Sequence, residues 1–297
     1  MIRKRWFVLC AIVVSLNVLA QNNVNNIINV IQQELKNRDF ASASTRLILL
    51  ETYVSKSNIT EYKQLVNQLN DSIYNTYNRA NDMKNNNDYQ RAIVEYQKLI
   101  GMRKEPLVSG PLYAYIGYCY EARSDKELAK SNYEEGIKHN ENLSALRMAR
   151  FIKSNNITTT TEEMITLYEK ASNYSEAMDS LGIEYFRINK INDSYKWFKA
   201  SSSSFGKYKL ASYLLDTTIE VQLSDEYKED NPIQFLTDAA NDNYAPAQYY
   251  LGLLYYFAED DERVPKDESK GLELINKAAK SGYEPAKRMK KRIDYNF

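Results

Sequence analysis

The sequence predicts an all-α solenoid built from stacked helix pairs, and three observations carry that expectation. Between Ala245 and Ala286, the residues Ala247, Leu251, Gly252 and Tyr255 lie at i, i+4, i+5 and i+8. They share one helix face, on which small residues let a neighbour approach and large ones fill the gaps. The same spacing recurs at Ala177, Leu181, Gly182 and Tyr185, 70 residues earlier, about two periods of a helical repeat. Six Pro and nine Gly in 297 residues fit a mostly helical chain with polar turns rather than a disordered one.

The chain begins with a stretch that reads as a secretory signal, residues 1–20. Arg3, Lys4 and Arg5 precede an apolar run from Trp6 to Leu19, and Val18 and Ala20 stand at the −3 and −1 positions before Gln21. The run falls short of the ~20 residues that span a bilayer and contains Ser15 and Asn17, which argues against an uncleaved anchor. The expected location is therefore exported, in the periplasm or cell envelope, after cleavage near Ala20. Cleavage leaves 36 basic against 39 acidic residues, a balance in which nothing suggests nucleic acid as a partner. It also leaves Cys119 as the sole cysteine, so no intrachain disulfide is possible, and Cys119 reads as a small packed residue.

From residue 23 to 54, Ile28, Ile31 and Leu35 mark one helix and Ala43, Leu47 and Leu50 the next, with Asn37-Arg38-Asp39 as the turn. Asn58 to Glu61 offers a cap for a long helix carrying Leu65, Leu69, Ile73 and Tyr77 towards Met83. Ala80, Asp88-Tyr89, Ala92 and Tyr96 then prepare the clearest early unit, Gly110 to Leu143, with Tyr113, Ile116, Gly117, Tyr120, Ala129, Tyr133 and Gly136. Ala92 and Ala129 are equivalent, and their spacing of 37 is absorbed by the loop of residues 102–111. Thr160 and Glu163 offer a capping box ahead of Met164, Leu167, Tyr168 and Ala171. A divergent copy fills Gly206 to Asn243, with Ala211, Leu214 and Leu215 on its first helix and Pro232, Phe235, Leu236, Ala239 and Ala240 on its second. The last segment, from Ala286 to Ile293, is short, basic and polar, as a terminal cap must be.

These spacings resemble two related families. The units from residue 21 to 158 resemble tetratricopeptide repeats, and residues 159–297 resemble Sel1-like repeats, most closely through APAQYYLGLLYY, VPKD and KAAKSGYEPA. The acidic run Glu259 to Arg263 stands where that family has a Gly-rich loop. The resemblance implies a right-handed superhelix of about seven helix pairs whose concave face, formed by the first helix of each pair, binds a peptide or partner protein. Carried residue by residue, the face would hold Tyr74, Tyr77 and Lys84, then Ala114, Tyr118 and Glu121, then Tyr249, Leu253 and Tyr256. The carboxylate clamp of some tetratricopeptide domains does not carry over, because its Lys and Asn positions are Ala114 and Tyr118 here. Some secreted Sel1-like proteins have a cysteine pair in each repeat, and their hydrolytic activity does not carry over to a chain without such pairs.

Reactive groups do not converge in the sequence. His139 is the single histidine and falls at a helix end. Ser204-Phe205-Gly206-Lys207 satisfies S-x-x-K without its S-D-N and K-T-G partners, and reads instead as an inter-repeat turn with Gly206 capping a helix C-terminus. Asp260-Asp261-Glu262 lacks the spacing and Gly of a calcium loop. The expectation is a non-enzymatic interaction scaffold with no catalytic residue, metal or cofactor. The second reading is a glycan or peptidoglycan binder that stacks exposed tyrosines on sugar faces, for which the 25 Tyr residues supply the rings.

Overall fold

The computed structural model describes residues 24–51, 59–100, 112–220, 222–258 and 264–294, and every regular element among them is an α-helix. Residues 1–20, the Asn58 cap, the loop of residues 102–111 and the run from Asp260 to Glu262 lie outside the described residues. The chain divides into two compact units at Met148/Ala149. The first holds α1 (24–36), α2 (Phe40–Glu51), α3 (Ile59–Asn85), α4 (Tyr89–Gln97), α5 (Leu112–Ala122) and α6 (Lys126–Lys138). The division falls inside α7 (Asn142–Ser154). The second unit continues through α8 (Thr161–Lys170), α9 (Ser175–Arg187), α10 (Ile191–Ser201), α11 (Ser204–Leu215), the short α12 (Thr217–Glu220) and α13 (Asp225–Lys228), α14 (Pro232–Asn241), α15 (Ala245–Phe257), α16 (Glu268–Lys280) and α17 (Glu284–Asp294).

Helices pair because a residue without bulk on the first helix receives a ring from the second. In the α5/α6 pair Gly117 faces Tyr133, and in the α9/α10 pair Gly182 faces Phe198; a Cβ at either glycine would lie 2.5 Å from the ring. The buried Ala80 and Tyr96 of α3 and α4 stand at the same separation in sequence. In the α15/α16 pair no ring intervenes. A Cβ on Gly252 would lie 2.9 Å from the Gly271 carbonyl oxygen and from Ile275 Cγ1, so two backbones cross there. The apolar positions expected from periodicity are the buried ones: Ile28, Ile31, Ala43, Leu47 and Leu50 in α1 and α2, and Leu65, Leu69 and Ile73 in α3. Cys119 is a free, fully buried thiol.

The turns share one device. Asn87, Asn140, Asn156, Asn189 and Asn243 all have left-handed backbones, as do Arg38, Ser124 and Ser202, with φ between 52° and 67°. Asn tolerates that region better than other residues with a Cβ. The residue after each of several such turns donates its N–H back across the helix end, as Asp88 does to Met83, Lys190 to Tyr185 and Tyr244 to Ala239, at 2.8 to 3.0 Å. This closes the terminal carbonyls without glycine. The starts are capped too. Thr160 and Glu163 form the expected capping box on α8, Asn231 accepts from the Ile233 and Gln234 amides at α14, and Asp267 accepts from Lys270 at α16.

The divergent copy has α11 and α14 where its two helices were expected, with α12 and α13 inserted between them. Tyr195 and Lys199 of α10 fasten the insertion through Asp230, at 2.8 and 2.7 Å, while Leu223 is buried against it. Gly206 does not cap a helix C-terminus. Ser202 takes the left-handed C-cap of α10, Ser203 caps the start of α11 by accepting from the Gly206 amide at 2.8 Å, and Gly206 sits in the first turn. A Cβ there would lie 2.8 Å from the Phe198 carbonyl, which explains the glycine. Ser204 and Lys207 both turn to Asp242, at 3.0 and 3.5 Å, rather than to each other.

Two buried carboxylates clamp neighbouring helices. Glu95 on α4 receives Arg38 at 3.2 Å, Lys98 at 2.6 Å, and Arg79. Burial pushes its pKa up, but the hydrogen bonds from Lys98 and Arg79 outweigh it and hold the carboxyl below the usual range. In the second unit Glu184 on α9 is fully buried and meets Arg187 at 2.9 Å and Lys153 of α7 at 3.8 Å. No helix among the described residues is long and apolar enough to cross a membrane.

Candidate functional site

Tyr74, Tyr77, Asn81 and Lys84 lie at i, i+3, i+7 and i+10, so they form one stripe along α3 that flanks the core positions Leu65, Leu69, Ile73 and Ala80. Tyr74 is 58% exposed and stands out among the large apolar side chains of the first unit. Tyr77 is half-buried, edge-on to Tyr96 with centroids 6.4 Å apart and tilted against Tyr115 of α5 at 6.3 Å. The Tyr77 and Tyr115 hydroxyls are 3.4 Å apart. Lys84 reaches from α3 over α5, its Nζ 4.4 Å from the Tyr115 ring centroid and 3.3 Å from Asn81 Oδ1.

One turn further along α5, Tyr118 is half-buried between helices. It meets Tyr89 of α4 edge-on at 6.2 Å, and the Arg147 guanidinium of α7 lies 4.7 Å from its centroid. The structure therefore gathers Tyr77, Lys84 and Tyr118 of the expected set around α5 and adds Tyr115 and Arg147. The repeat register points to neither: its face positions around Gly117 are Ala114, Tyr118 and Glu121, three before and one and four after the glycine, whereas Tyr115 lies two before it, and Arg147 comes from a helix that carries no Gly-Tyr signature. Ala114 is a correction: it is fully buried and faces no open surface. Glu121 accepts the hydroxyl of the buried Tyr133 at 2.7 Å, an intra-pair bond between α5 and α6.

Burial pulls the Lys84 ammonium below its usual range, and the nearby Arg147 charge pushes in the same direction. The adjacent Cys119 thiol brings no compensating charge at neutral pH, because burial pushes its pKa up to about 11. The face is thus a set of rings whose π-surfaces carry two cations.

In the second unit Tyr249 and Tyr256 serve the terminal packing. Tyr249 meets Tyr283 at 5.5 Å, and Tyr249, Leu253 and Tyr256 all pack around Ile275, Ala278 and Ala286 of α16 and α17. Tyr249 also lines a shallow hollow of about 540 Å³ with Pro285, Arg288, Met289, Lys291 and Arg292. His139 stacks on Tyr113 with rings 5.2 Å apart and sits 3.3 Å from Glu135, at the exposed end of α6.

No protein-family model matches the chain, and no curated protein sequence matches it. Solved structures do. A Sel1 repeat protein from Oxalobacter formigenes superposes with a TM-score of 0.56 at 17% identity, over 71% of this chain and 84% of that one. A protective antigen of uropathogenic Escherichia coli strains that displays an SLR fold superposes with a TM-score of 0.54 at 14% identity, over 87% of this chain and 68% of that one. At such identities the likeness is one of architecture. The helix pairs, their glycine-to-ring contacts and these superpositions together give the chain the Sel1-like, tetratricopeptide-type repeat fold.

Proposed function

We propose that the protein is a non-enzymatic interaction scaffold of the cell envelope, which binds a protein or peptide on the face formed by α3, α5 and α7. The observation that carries this reading is the pair Lys84 and Arg147, two partly buried cations held over tyrosine rings instead of carboxylates, on a surface that runs along α3 to the exposed Tyr74. Aromatic and cationic side chains with low rotamer freedom suit a recognition surface. The protein-interaction role draws on the repeat fold by analogy, and export draws on residues 1–20. The glycan reading is the weaker one, because the π-faces of Tyr115 and Tyr118 that a sugar would stack on are taken by Lys84 and Arg147.

Tyr74→Ala provides the test. An exposed substitution moves stability within about 0.5 kcal/mol, whereas truncating an aromatic anchor costs ~2 kcal/mol or more in affinity. Capture of an envelope protein by the wild-type chain should fall at least about 30-fold in the variant, with an unchanged melting curve. Equal capture by both chains would remove Tyr74 from the binding face.

A further inference from the structure

The first unit treats its partly buried cations in two different ways. Arg79 and Lys98 both end on the carboxylate of Glu95. Lys84 and Arg147 make no ion pair among the described residues, and the Arg147 Nε atom is buried without an acceptor. A cation withdrawn from water without an anion is unfavourable, and ring faces compensate only part of that cost. The acids nearby do not supply the missing charge. Glu95 is already met by three cations, and Glu121 is turned to Tyr133. Lys84 and Arg147 approach from α3 and α7 over Tyr115 and Tyr118, which are adjacent on α5, so both face one narrow region.

We propose that this region is the anchor for an acidic peptide segment, one of whose side-chain carboxylates bridges Lys84 and Arg147 while its apolar neighbours lie against Tyr77 and Tyr74. The proposal rests on the scaffold reading above and names the chemistry of its partner. The two cations stand at helix positions other than the Ala114 and Tyr118 positions of the carboxylate clamp, and they are brought together by α5. Guanidinium and ammonium groups with a restricted geometry bind carboxylates through charge-assisted hydrogen bonds, and such contacts weaken as salt is added. A peptide rather than a free anion fits the continuation of the surface along α3, where the exposed Tyr74 offers apolar area ten residues, about 15 Å, from Lys84.

The test uses the purified chain and a dye-labelled, end-blocked peptide of alternating Glu and Ser, with its Gln-for-Glu counterpart as control. Anisotropy should show salt-dependent binding of the acidic peptide, at least about ten-fold tighter than the neutral one. Lys84→Met and Arg147→Met should each weaken it about ten-fold, and the double variant should melt no lower than wild type, since it removes uncompensated charge. Equal binding of the two peptides, no binding of either, or acidic binding untouched by both substitutions would overturn the proposal. Displacement by inorganic phosphate at the peptide's own concentration would also overturn it, by making the site a general oxyanion pocket. If the acidic peptide fails while Tyr74→Ala still abolishes partner capture, the charge chemistry is wrong and the scaffold face stands. If Tyr74→Ala captures normally, the face itself is wrong.

Discussion

Replacing Gly252 by leucine should destabilise the terminal repeat by about 3 kcal/mol or more, at or above the upper end of the range for overpacking. The reason is geometric. The contacts a Cβ would make at this position are the Gly271 carbonyl at 2.9 Å and the Ile275 amide nitrogen at 3.1 Å, which are backbone atoms of α16 and cannot swing aside. Gly271 is the reciprocal half of the crossing, with Tyr256 N at 2.7 Å and the Gly252 carbonyl at 2.8 Å from its own hypothetical Cβ. Alanine gives a sharper result through its sign. On an exposed helix face Gly→Ala stabilises by roughly 0.5–1 kcal/mol. At this crossing Gly252→Ala should destabilise, and a chemical denaturation midpoint that rises would show the helices do not touch there.

The second large effect is expected at Tyr133. Its ring is fully buried and fills the space above Gly117, so Tyr133→Ala should cost about 3–5 kcal/mol, as large-to-small aromatic truncations in a core do. Tyr133→Phe separates the ring from the hydroxyl. It keeps the ring packing and removes the 2.7 Å bond to the Glu121 carboxylate, at about 1.5 kcal/mol. Urea denaturation of the two variants should show that difference. Equal losses would mean that the hydroxyl bond, and not the glycine-to-ring fit, joins α5 to α6.

The helix pairs were legible because their rule is local: a small residue and its large neighbours on one helix face recur within a single repeat, as at Gly182 and Gly252. Thr160 and Glu163 were legible for the same reason, since a capping box spans four residues. The turns were less so. Gly206 drew attention as a helix stop, yet the serines before it do the work, with Ser202 ending α10 and Ser203 starting α11. The abundant asparagines that close α3, α6, α7, α10's predecessor α9 and α14 carried the same stop signal, one usually read from glycine. Neither α12 nor α13 shows a periodic pattern, because four residues make about one turn.

Site legibility followed the same division. Tyr74, Tyr77 and Lys84 share one helix, so their stripe could be read from spacing. Tyr115 and Arg147 acquire meaning only when α3, α5 and α7 are side by side, through contacts 29 to 38 residues apart along the chain, as between Tyr118 and Arg147 or Tyr77 and Tyr115. Tyr249 and Tyr256 are placed on a face by the resemblance alone, through analogy with inner repeats. Their place beside α17 follows from being in the terminal unit, where the capping helix packs around them.

Site-specific photo-cross-linking tests the central claim, that the α3–α5–α7 face is where this repeat protein meets its partner. A benzophenone side chain at position 74 would sit on that face, and one at position 128 would sit on α6, where Leu128 is also exposed. Both positions lie at the surface, so neither substitution disturbs a core. The account predicts a discrete cross-linked protein from position 74, lost when Lys84 and Arg147 are both replaced by methionine, and none from position 128. A product formed from position 128 and absent from position 74 would contradict it.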